Sequence, residues 1–103
     1  MSVAKLHIRI DQERVASFCQ ERGIRRLSLF GSVLRDDFDA VRSDVDVLAE
    51  YEPGALKGLG WDIIDHRETL SLLLGKTVDY CTRLHPLVAG RVRNQLVPIF
   101  ERP

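Results

Sequence analysis

Apolar positions recur along the chain with a helical spacing, then a strand spacing, and the alternation predicts the elements. Asp11 opens a helix: its carboxylate caps free N–H groups, and Ile10 before it and Val15 four positions in form a hydrophobic staple. Val15, Phe18 and Cys19 continue the stripe, and Gly23 is the expected residue just past the helix end. Ile24 to Phe30 reads as a strand with Leu27 and Leu29 on one face. At Gly31-Ser32 a short helical turn to about Arg35 is expected, because Ser caps well and Val33 and Leu34 can pack back on the sheet. Asp36 to Ser43 has neither period and reads as a loop.

The second strand is expected at Asp44 to Tyr51, punctuated by Pro53-Gly54. Leu59 to Leu74 then reads as an amphipathic helix ending at Gly75, with Trp61, Ile64 and its leucines in the core. Thr77 to Cys81 is the third strand. Pro86 suits the first turn of a last helix to about Gln95, after which Pro98 blocks regular continuation. The order is helix, strand, short helix, strand, helix, strand, helix, an α/β sandwich with helices on a small sheet. Periodicity leaves open whether the strands run parallel or mixed. A sheet covered on one face leaves the other for a substrate or a partner.

A chain of 103 residues supports one compact core, and 45% hydrophobic with 29% charged residues excludes the composition of disorder. Fifteen basic residues balance fifteen acidic ones, so no net field draws the protein to nucleic acid or an anionic membrane. No stretch reaches the ~18 apolar residues of a membrane span, and a soluble cytoplasmic protein is expected. Cys19 and Cys81 lie far apart in apolar patterns, which predicts buried free thiols. His7, His66 and His85 lack a metal spacing and are expected in surface or capping roles. Asp36, Asp37 and Asp39 lack the central Gly and terminal Glu of an EF-hand.

The chemistry concentrates at Asp44 and Asp46. Residues two apart on a strand share a face, so these carboxylates lie side by side while Val45 and Val47 face the core. Mg²⁺ is usually held by one or two carboxylates plus substrate phosphates, and two ions in a phosphoryl-transfer site draw ligands from neighbouring strands. Asp79, between Val78 and Tyr80 of another strand, is the candidate third ligand. Gly31-Ser32 stands at a strand-to-helix junction, where backbone N–H groups bind phosphate, and Arg35 is one turn further on. Taken singly, Asp44 and Asp46 also read as a solvated strand end, Asp79 as an exposed edge residue and Arg35 as a surface residue. Their combination points to nucleotidyl transfer with loss of pyrophosphate.

The segments Leu29-Phe30-Gly31-Ser32-Val33-Leu34-Arg35, Ser43-Asp44-Val45-Asp46-Val47-Leu48 and Gly75-Lys76-Thr77-Val78-Asp79, with Leu84-His85-Pro86 leading into the last helix, carry a resemblance. The chain resembles the minimal nucleotidyltransferase (MNT) domains of the DNA polymerase β-like superfamily over most of its length. That resemblance implies a small mixed sheet flanked by helices in a single domain, residues 1–103. It implies Asp44, Asp46 and Asp79 as catalytic and metal-binding residues, and Gly31, Ser32 and Arg35 as nucleotide-binding ones. It further implies Mg²⁺-dependent transfer of AMP from ATP, and a partner: a HEPN-type ribonuclease toxin, with the chain as its antitoxin. The alternative is a non-catalytic binding module that neutralises the toxin by contact alone. Val33 to Ser43, between Ser32 and Asp44, is one residue longer than the usual family spacing, and Ala40-Val41-Arg42 replaces a common Pro-Asp stretch. A surface loop absorbs such an insertion at little cost. The register of Asp44 and Asp46 is set within their own strand.

Overall fold

The structure, a computed structural model, describes residues 10–31, 44–55, 62–84, 86–93 and 95–102. Helix α1 spans Gln12–Arg22, and Asp11, in extended conformation, caps it by accepting the Arg14 N–H at 3.1 Å. Gly23 ends it at φ 71°, the left-handed conformation that lets its N–H bond the Cys19 carbonyl. Val15, Phe18 and Cys19 are buried, and Ile10 packs against the same core.

Strand β1 (Ile24–Phe30) pairs antiparallel with β2 (Val45–Tyr51), placing Leu27 opposite Ala49, Leu29 opposite Val47 and Phe30 opposite Asp46. Strand β3 (Val78–Cys81) runs parallel to β2, and β4 (Val97–Glu101) runs antiparallel to β1. The sheet order is β3-β2-β1-β4, so the sheet is mixed, as the resemblance implies. Helix α2 (Asp62–Leu74) packs on β3 and touches α1, which packs on β1 and β4, so both helices cover one face. Between them and the sheet lies the core, including Phe18, Leu27, Leu29, Val47, Leu70 and Val78. Helix α3 (Pro86–Arg93) belongs to the connection joining the two edge strands. The flanks of that connection, Leu84 and Leu96, line a cavity of about 190 Å³ with Arg26, Leu48 and Glu50 on the second face. Arg26 there forms ion pairs across the strands with Glu50 and Glu101. Among the described residues no helix is long and apolar enough to cross a membrane.

Three expectations are corrected. The chain after Pro98 does not leave regular structure: Val97–Glu101 forms a fourth strand. Proline lacks a ladder donor and is tolerated on an edge strand, and here the pairing shifts between Leu27 and Ser28, where Phe100 and Pro98 lie opposite. Ile64 and Leu72 are not core, being 42% and 86% exposed, because the face of α2 turned to the sheet is His66, Leu70 and Leu74 at four-residue intervals. His66 therefore has no surface or capping role. It is buried, its ring edge-on to Phe18 and stacked on Tyr51. The other boundaries agree within a few residues. The turn expected from Ser32 to Arg35, the loop before Asp44, the helix start at 59–61 with Trp61, and His7 and His85 lie outside the described residues.

Candidate active site

Alternation along β2 sends Val45, Val47 and Ala49 into the helix-covered core, where all three are fully buried. Asp46, Leu48 and Glu50 fall on the second face, and Asp44 continues that set one step before the strand. Parallel pairing sets Asp46 level with Asp79, so the third carboxylate stands beside the second on the same face. Asp44 and Asp79 are exposed and Asp46 is half-buried.

From β1 the chain reaches Gly31, whose φ of 75° favours glycine. A Cβ there would lie 2.2 Å from Asp46 Oδ2 and 3.1 Å from its Cγ, so a glycine is what lets this carboxylate lie against the β1 turn. Electrostatics report the same crowding. The Cys81 thiol, on the same face two residues beyond Asp79, is pushed up by burial and then by the charges of Asp79 and Asp46.

A cavity of about 890 Å³ opens beside β3, lined by Asp44 and Asp79 together with Arg67, Ser71 and Leu72 of α2 and by Lys76. Ser71 ties this wall together, its hydroxyl donating to the Arg67 carbonyl at 2.9 Å and accepting the Val78 N–H at 3.1 Å. Behind the carboxylates, on the core side, the Tyr51 hydroxyl hydrogen-bonds both the Tyr80 hydroxyl and His66 Nδ1, the latter at 2.8 Å. Burial pushes both tyrosines up and His66 down, so this network is neutral near pH 7 and buttresses β2 against β3. In the sequence Tyr51 and Tyr80 carry no assigned role, and His66 is expected in a surface or capping one. The available signal was parity: Tyr51 and Tyr80 share the inward phase of Val47 and Val78 on their strands.

Of the six expected site residues, Gly31 and Asp79 each adjoin Asp46 and Asp44 lines the same cavity as Asp79, while Ser32 and Arg35 lie outside the described residues. Among the described residues, no group of three His, Cys, Asp or Glu side chains is arranged to hold a metal ion by itself. Mg²⁺ needs no such cage, since phosphate oxygens and waters complete its octahedron around one or two carboxylates. An all-oxygen donor set on neighbouring strands, with space beside it, fits that ion.

Comparison with known proteins agrees with this fold. The fold is that of a crystal structure of a mutant of the toxin–antitoxin MntA-HpeT, at 12% identity and TM-score 0.60, and of a crystal structure of a toxin–antitoxin with AMP-PNP, at 14% identity and TM-score 0.61. Each match covers 89% of this chain and 74% of the other. No curated protein matches the chain. The family described as nucleotidyltransferase domain matches residues 13–96, from α1 to the residue before β4, and the chain belongs to that family.

Proposed function

We propose that the chain, as a single minimal nucleotidyltransferase domain in the cytoplasm, transfers AMP from ATP to a partner protein, and in doing so acts as the antitoxin of a HEPN-type toxin. The observation that carries the proposal is the level pairing of Asp46 with Asp79, with Gly31 packed on the Asp46 carboxylate. Asp44 and Asp46 would hold Mg²⁺, with Asp79 completing the site. The ion supplies charge neutralisation on the triphosphate and a more acidic acceptor hydroxyl. Ser32 and Arg35, following Gly31, are suited to hold the phosphates through a hydroxyl donor and a planar guanidinium. The acceptor oxygen attacks the α-phosphorus, the bond to the bridging oxygen breaks, pyrophosphate leaves, and Asp79 would take the hydroxyl proton. A site of this kind works by positioning and charge, so few residues suffice.

Support for a toxin partner and for ATP comes from the neighbours: one is a toxin–antitoxin pair, the other a toxin–antitoxin with AMP-PNP. The test is to incubate the purified protein with Mg²⁺, ATP and the protein encoded beside it, and to weigh that protein. A mass increase of one or more AMP units, lost with Asp44→Asn/Asp46→Asn, is expected. Full growth rescue from the toxin by that dead variant would contradict the catalytic antitoxin and favour neutralisation by contact.

A further inference from the structure

The carboxylates have two sides. Gly31 closes against Asp46 from the β1 side, and the 890 Å³ cavity reaches Asp44 and Asp79 from the β3 side. In-line displacement requires the attacking oxygen and the departing pyrophosphate to lie on opposite sides of the phosphorus. A triphosphate held on the Gly31 side therefore leaves the β3 side for the acceptor.

That side is a sheet edge, for no described strand lies beyond β3. The Val45 N–H bonds the Thr77 carbonyl, so in a parallel ladder the backbone of residues 77 and 79 serves β2 while Val78 and Tyr80 face outward. Ser71 Oγ already accepts the outward Val78 N–H. The Val78 carbonyl and the N–H and carbonyl of Tyr80 remain directed to the edge beside the cavity. We infer that the acceptor docks as an extended polypeptide segment pairing with β3 at Val78 and Tyr80, its side chains in the cavity and its hydroxyl carried to Asp79. This rests on the nucleotidyltransferase reading and specifies its acceptor.

The lining favours a polypeptide over a nucleic-acid strand. Its charged groups, Asp44, Glu68 and Asp79 against Arg67 and Lys76, are of mixed sign and form no continuous basic track for a phosphate backbone. Its aromatic is Tyr80, half-buried with its hydroxyl bonded to Tyr51, so it offers no stacking platform for bases. Strand addition draws affinity from main-chain bonds and specificity from alternate side chains, and Leu72, 86% exposed, gives those side chains an apolar wall.

Acceptors are compared with Mg²⁺ and labelled ATP: N-acetyltyrosinamide, a seven-residue peptide of alternating valine and threonine around a central tyrosine, the same peptide N-methylated at alternate residues, and a single-stranded oligoadenylate. The peptide should exceed N-acetyltyrosinamide in kcat/KM by about 10-fold or more, and N-methylation should remove the gain. Leu72→Glu should raise KM for the peptide by a larger factor than KM for N-acetyltyrosinamide. Equal rates for the plain and N-methylated peptides, or a preference for the oligonucleotide, overturn edge docking. Binding of AMP-PNP with Mg²⁺, measured in parallel, separates the failures: where it persists only the docking falls, and where it is absent the nucleotidyltransferase reading falls too.

Discussion

A side chain at Gly31 would have to occupy the space of a carboxylate oxygen. Gly31→Ala forces a β-carbon into positive φ, at about 1–2 kcal/mol, and pushes Asp46 from its position. The expected outcome is a lower melting temperature together with at least a tenfold loss of Mg²⁺-dependent AMP-PNP affinity, about 1.4 kcal/mol or more, measured by calorimetry. His66 governs a pH effect of the opposite kind, on stability alone. Burial, then the charge of Arg22, lowers its folded pKa below the ordinary 6.5, against partial compensation from Asp65 and Asp62. The unfolded chain therefore binds the proton more readily, so the stability from neutral His66 is complete above pH 6.5 and is lost as pH falls through that value toward the folded pKa. Between pH 7.5 and 5.5 the wild-type melting temperature should fall further than that of His66→Gln. An equal fall in both proteins would contradict the assignment.

Helix α1 was legible in the sequence down to its cap, because Asp11, Val15 and Gly23 act through bonds within a few residues of the chain. Strands β1 and β2 were equally plain, their apolar runs being buried on the helix side. Strand β4 was not, since Pro98 argues against a strand unless the edge position is known, and edge position is a property of the assembled sheet. The inward face of α2 was misread for a related reason: six apolar residues over Ile63–Leu74 allow more than one stripe, and contact with Phe18 and Tyr51 selects the one containing His66. The carboxylate pair was legible from strand parity, but its register with Asp79 depends on which strand lies next to β2 and in which direction. Ser71, hidden in sequence as an ordinary helix residue, joins α2 to β3. Ser71→Ala leaves the Val78 N–H without that acceptor, a cost of about 1–3 kcal/mol visible in urea unfolding. Since the same bond holds the strand bearing Asp79, transfer activity should fall more than nucleotide affinity.

For the whole molecule, the decisive feature is a concentration of negative charge on one face of a chain with no net charge. On the proposed function a bound cation would offset these neighbouring carboxylates, whose mutual repulsion opposes folding. Asp44→Asn/Asp46→Asn should accordingly raise the melting temperature of the ligand-free protein while removing its nucleotide binding. The most direct measurement is a calorimetric titration of wild type and this variant with AMP-PNP in the presence and absence of Mg²⁺. Wild type should bind in a Mg²⁺-dependent manner, and the variant, melting no lower, should bind at least a hundredfold more weakly, about 2.7 kcal/mol. Equal binding by the two proteins would contradict it.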